Sequence, residues 1–129
     1  MNSTRLSRLA LMGLGVMSMF AAPVMAQPVL TLEGTCPGTM RAQAEGMRPR
    51  ATAFLYFSPA RGSYTFPPFH MCSGVEVGLD VRRLRLVGTA RIDDSGSAFW
   101  EGAAHPRACG GFLQVIDNVC RITNVIEIH

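Results

Sequence analysis

Four cysteines, Cys36, Cys72, Cys109 and Cys120, constrain this 129-residue chain more than any other feature, because all of them follow an N-terminal stretch built for export. MNSTRLSR carries Arg5 and Arg8. An uncharged apolar run from Leu9 to Ala22 follows, and then Pro23-Val24-Met25-Ala26. The run is shorter than the roughly 20 apolar residues that cross a bilayer, and Val24 and Ala26 suit the small-residue cleavage rule. The reading is a signal peptide over residues 1–26, cleaved after Ala26. No cysteine follows that site to take a lipid, and nothing later is long and apolar enough to stop in a membrane. The mature chain is therefore expected to be soluble and secreted or periplasmic. In that oxidising setting an even cysteine count predicts a disulfide framework, each bridge contributing about 2–4 kcal/mol. Three connectivities are possible, and the cysteine spacing does not choose among them.

Cleavage leaves residues 27–129, a single domain small enough that burial alone leaves it marginal. Ten arginines face nine acidic residues there, a net charge of about +1. That balance argues against nucleic acid as a partner, and no stable membrane insertion is expected after cleavage. Lysine is absent, which reads as a coding bias of a GC-rich genome.

The mature chain alternates in short runs. Pro28 to Glu33 and Thr39 to Glu45 read as strands. In the second, Met40, Ala42 and Ala44 share one face while Arg41, Gln43 and Glu45 share the wet one. Ala51 to Phe57 is the most continuous apolar run, which predicts a central strand buried on both faces. Pro59, Gly62, Pro67, Pro68 and Gly74 break up the following stretch around a short Ser63 to Phe66 segment. Extended character returns at Val75 to Leu79 and Leu84 to Ile92. Asp93-Asp94-Ser95-Gly96 predicts a four-residue hairpin turn with positive φ at Gly96, leading to a return strand over Ser97 to Glu101. Gly111 to Asp117 and Asn124 to Ile128 complete the set. No stretch of ten residues holds a helical period without Gly or Pro. About seven to nine strands at turn intervals of roughly 8–12 residues predict an all-β antiparallel sandwich. There is no internal repeat.

The punctuation between these strands, GTCPG at 34–38, PPFHMCSG at 67–74, DDSGSA at 93–98, ACGGFLQVID at 108–117 and TNVIEI at 123–128, resembles a group of small secreted domains common in myxobacteria and planctomycetes. Those carry a GCPG-like start, a central C-x-G element, a D-x-x-G-x-A hairpin, a G-x-x-x-Q-x-x-D strand and a final SNxxxI strand, with Thr123 here in place of the usual serine. The resemblance covers nearly all of the mature chain. It implies an immunoglobulin-like β-sandwich, and the group brings no established activity or ligand. Its two-cysteine members keep the positions matching Cys36 and Cys72, which favours Cys36–Cys72 with Cys109–Cys120. Against this, a straight strand over 111–117 would hold Cys109 and Cys120 some 20 Å apart at about 3.3 Å per residue, where bridged Cα atoms lie near 5.5 Å. Pairing Cys36 with Cys109 and Cys72 with Cys120 is the alternative.

Several groupings bear on chemistry. His70-x-Cys72 and His105-x3-Cys109 could jointly offer zinc ligands, but the spacing fits no structural zinc pattern and exported cysteines pair first. No metal or other cofactor is expected. Ser95 beside Asp93 and Asp94, with His105 further on, lacks a nucleophile elbow, and the aspartates suit a turn better than catalysis or calcium. No catalytic residue is assigned. Arg83, Arg85 and Arg91 would project from one strand face, where they could meet an acidic glycan or simply face solvent. Tyr64-Thr65-Phe66-Pro67-Pro68-Phe69-His70-Met71 places Tyr64, Phe66 and Phe69 in an irregular loop, the usual seat of binding on a rigid scaffold, or a lid over an open sheet edge. Trp100 reads as core. The expectation is a non-enzymatic secreted or cell-envelope module that binds or scaffolds, its partner an extracellular protein or glycan. The alternative is a secreted inhibitor or ligand-binding domain using the Tyr64 to Met71 loop.

Overall fold

The alternating runs become strands wherever one face of the run can be buried. In the computed structural model, which describes residues 27–129, the element order is β1 (Val29–Gly34), β2 (Gly38–Glu45), β3 (Thr52–Ser58), β4 (Arg61–Thr65), β5 (Glu76–Leu79), β6 (Arg85–Arg91), β7 (Ala98–Ala104), β8 (Phe112–Asp117) and β9 (Ile126–Glu127). The signal peptide and its cleavage site lie outside the described residues. Single 3₁₀ turns, Val81–Arg83 and Pro106–Ala108, are the only helical elements among the described residues.

The fold is all-β and antiparallel. Strands β1-β2-β7 make one sheet, β6-β3-β8-β9 a second, and β4-β5 a separate hairpin. The two larger sheets bury their inner faces against each other. Leu30, Met40, Ala42, Ala44 and Ala98 from the first meet Ala53, Leu55, Leu113 and Val115 from the second in one apolar cluster. In β2, β3 and β8 alternate residues enter it, as the pleat requires. The wet face expected of β2 is present, with Arg41 and Glu45 exposed beside buried Met40, Ala42 and Ala44. β3 is central, between β6 and β8, but it is not buried on both faces as expected: Ala53 and Leu55 are buried on the inner side, while Thr52, Phe54 and Tyr56 on the other stay half-buried.

The second half of the chain is tied by polar side chains. Gln114, buried on the outer side of β8, accepts from the Gly78 N–H of β5 (3.0 Å) and donates to the Thr123 carbonyl (2.8 Å). Asp117, 2% exposed, accepts from the backbone N–H groups of Val119, Arg121 and Arg48. The Thr123 hydroxyl accepts from Val115 N–H, and Asn124 pairs with both the N–H and the carbonyl of Leu30. Buried polar groups so satisfied hold a register that apolar packing alone leaves free to slip.

Three further expectations are corrected here. The disulfides join Cys36 to Cys109 and Cys72 to Cys120, with Cα separations of 5.6 and 5.4 Å, and not Cys36 to Cys72 with Cys109 to Cys120. β8 is the reason: it runs straight between Cys109 and Cys120 and keeps them at its opposite ends. Asp93 to Gly96 does turn tightly, with Gly96 N–H donating to Asp93 and φ +84° at Gly96, where an added Cβ would lie 2.7 Å from the Met47 carbonyl. The strands it joins do not pair: β6 pairs with β3 and β7 with β2, so the turn carries the chain from one sheet to the other. Ile92 and Ala98, both buried, anchor that passage over the core. Lastly, Arg83, Arg85 and Arg91 do not share a strand face, for the reason given below.

Candidate functional site

Residues 66–75 form a loop whose backbone is closed on itself. Phe66 N–H donates to the Val75 carbonyl (3.0 Å) and Gly74 N–H to the Phe66 carbonyl (3.1 Å). Between these ends, His70 N–H reaches the Pro67 carbonyl, Ser73 N–H the His70 carbonyl and Val75 N–H the Cys72 carbonyl. His70 Nδ1 accepts from Cys72 N–H at 2.9 Å, which orients the ring. The imidazole stacks on Phe66 with centroids 4.3 Å apart, and Phe66 meets Tyr64 edge-on at 5.6 Å. Buried Cys72 then bridges to Cys120 in the turn after β8, fixing the loop to the second sheet.

This closure divides the aromatic segment. Tyr64 and Phe66 turn toward the second sheet, where with Tyr56, Leu84, Ile116 and Ile122 they line an apolar crevice of about 400 Å³. Phe69 and Met71 point the other way and stand 89% and 82% exposed. A flexible tip could fold such side chains back. Here the hydrogen bonds and the disulfide leave little freedom to do so.

The arginines are dispersed. Arg83 belongs to the 3₁₀ turn before β6 and pairs with Asp80 at 3.4 Å. Across β3, Arg85 lies opposite Phe57 and Arg91 opposite Thr52, and the register slips by one residue at Val87. Phe57 and Thr52 have opposite parity on β3, so Arg85 and Arg91 leave β6 on opposite faces. A bulge of this kind was not legible in the alternation of residues 84–92.

Both disulfides consume their cysteine thiols, so neither His70 nor His105 has a thiolate beside it. His105 Nδ1 accepts from Arg107 N–H and caps the 3₁₀ turn. Among the described residues, no three His, Cys, Asp or Glu side chains gather in a way that could hold a metal. Ser95 Oγ donates to Asp93 Oδ1 at 2.6 Å, and the same oxygen accepts from Ser95 N–H and Ser97 N–H. Asp93 is thereby committed to the turn. Its carboxyl is held below the usual range, mainly by the Ser95 hydroxyl and then by Ser97 N–H. Asp94 accepts from exposed Arg50.

A second concavity was not legible as a site in the sequence. Between β6 and β7 the two sheets part around a cleft of about 610 Å³, lined by Leu55, Phe57, Trp100 and Leu113 with Arg85 and Arg107 also on its wall. Trp100 is thus a cleft wall, only partly buried, and not simply core. The available signal was the pair of small residues on the inward parity of β7 that line it, Gly102 and Ala104.

These features define a disulfide-bridged all-β sandwich with a pinned, apolar-tipped loop and an open lateral cleft. No family model matches the chain, and no curated protein matches it. The two disulfides are consistent with an extracytoplasmic protein. Among the described residues, no helix is long and apolar enough to cross a membrane.

Proposed function

We propose that the chain is a secreted, non-enzymatic β-sandwich module of the cell envelope that binds a protein partner through its 66–74 loop. The observation that carries this reading is the pair Phe69 and Met71, 89% and 82% exposed on a loop whose conformation is locked. Apolar side chains held in water by a rigid frame cost little further entropy when a partner covers them, and exposed aromatics are frequent binding anchors. The strand order 1-2-7 facing 6-3-8-9 supports an immunoglobulin-like arrangement, in which loops at the sandwich ends do the binding. Secretion rests on the composition of residues 1–26, and N-terminal sequencing of exported protein is expected to begin at Gln27.

The test is capture from native culture with wild type, Phe69→Ala/Met71→Ala, and Phe99→Ala as a control on another exposed aromatic. The loop variant is expected to lose the partner that wild type and the control retain, with unchanged melting. Equal capture by all three removes the loop from consideration. Fractionation then separates the two forms of the reading: association with envelope or matrix supports scaffolding, whereas free protein bound to another secreted protein supports an inhibitor.

A further inference from the structure

The cleft between β6 and β7 exists because the walls are thin where a core would need bulk. Gly102 sits at the inward parity of β7, opposite buried Met40, yet a Cβ built on it would meet nothing within 4 Å. Gly88 on β6 is thin for another reason: a Cβ there would press on Trp100 Cδ1 at 3.1 Å and Nε1 at 3.3 Å, so the glycine lets the indole lie against the β6 backbone. The indole N–H is sealed in that position without a hydrogen-bond partner, a donor the fold itself does not use.

The cleft wall carries two arginines against one carboxylate, Glu101. Arg85 leaves β6 on the same side as Phe57, and Arg107 follows β7 in the 3₁₀ turn; both are exposed, and among the described residues neither has an ion pair. Glu101 borders the cleft, as does His105, but strand alternation sends the Glu101 side chain toward the outer face, opposite Arg41 on β2. An apolar hollow of about 610 Å³ lies within the range of small-molecule sites, which pair apolar walls with a few placed polar groups. An alkyl chain complements the interior, and an anionic head complements the two arginines.

We propose that this cleft binds a single-chain amphipathic carboxylate, its alkyl chain along Leu55, Phe57, Trp100 and Leu113 and its carboxylate at Arg85 and Arg107. Trp100 is the chain's sole tryptophan, so its fluorescence reports from the site without a label. The full chain, exported and processed by its host, is titrated with dodecanoate below micelle formation. A saturable shift of Trp100 emission is expected, with dodecyltrimethylammonium binding at least about tenfold more weakly. Arg85→Gln/Arg107→Gln is expected to weaken dodecanoate about tenfold and to erase that headgroup preference. Gly102→Leu, which fills the hollow, is expected to abolish the shift while leaving the circular dichroism spectrum unchanged. Phe69→Ala/Met71→Ala leaves dodecanoate binding intact, which separates this site from the loop. No saturable shift with dodecanoate, equal affinity for the two headgroups, or full binding by folded Gly102→Leu would each overturn the proposal.

Discussion

The two long sides of the sandwich are closed to very different degrees. On one side, β1 and β9 are drawn together by Asn124, which clasps both backbone groups of Leu30, and by Cys36 N–H donating to the His129 carbonyl at 2.6 Å. Ile128 is buried there, and Gly110 and Gly111 exchange hydrogen bonds with it. The Cys36–Cys109 bridge locks the end of this seam. On the other side, β6 and β7 meet near the Asp93 turn and part toward Arg85 and Ala104, leaving the cleft and the unpaired indole N–H. Satisfied polar groups seal one side, and small side chains keep the other open.

That contrast can be broken at its closed side. Cys36→Ser/Cys109→Ser is expected to have the largest effect, a loss of about 2–5 kcal/mol in urea unfolding of the oxidised protein. Peptide mapping of the non-reduced wild type is expected to return Cys36 with Cys109 and Cys72 with Cys120; a Cys36–Cys72 peptide would contradict the arrangement described above. Asn124→Ala comes next, at about 1–3 kcal/mol, because it leaves the N–H and carbonyl of Leu30 without partners in a partly buried strand.

The open side is expected to respond weakly. Trp100→Phe removes a donor that pairs with nothing and keeps an aromatic wall, so the change in unfolding free energy should stay within about 1 kcal/mol. A loss as large as that of Asn124→Ala would show that the β6–β7 side is as tightly coupled as the closed one. The smallest effect belongs to the turn that joins the two sheets. Asp93 has a folded pKa below its unfolded value, so its stabilisation is present above the unfolded pKa and is lost as pH falls through the folded one. Wild type should therefore melt above Asp93→Asn near neutrality, and the gap should narrow below roughly pH 4. A gap that persists in acid would mean that the carboxylate's charge is not what holds the turn.

Much of the fold was legible because strand alternation and turn chemistry are local. The span over β2 follows from period-two alternation, that over β3 from its continuous apolar run, and Gly96 from the steric demand of a positive φ. Partner choice was not legible in the same way. Whether β6 returns to β7 or reaches across to β3 depends on which inner faces bury together, and that comparison involves residues far apart in the chain. The bulge at Val87 is similar, since a single unpaired residue is visible only against the partner strand. Within the candidate loop, Tyr64, Phe66 and Phe69 were all plausible contacts from composition. The stack on His70 and the Cys72–Cys120 bridge decide that Phe66 turns toward the second sheet, with partly exposed Tyr64 edge-on to it, while Phe69 is displayed.

By itself, then, the sequence determined an all-β chain of short strands, its turn positions and the presence of a disulfide framework, since each depends on residue type within a few positions. Only the tertiary structure decided which cysteines pair, which sheet each strand joins and where the sandwich stays open. Those outcomes depend on distances across the core, and local patterns do not contain them.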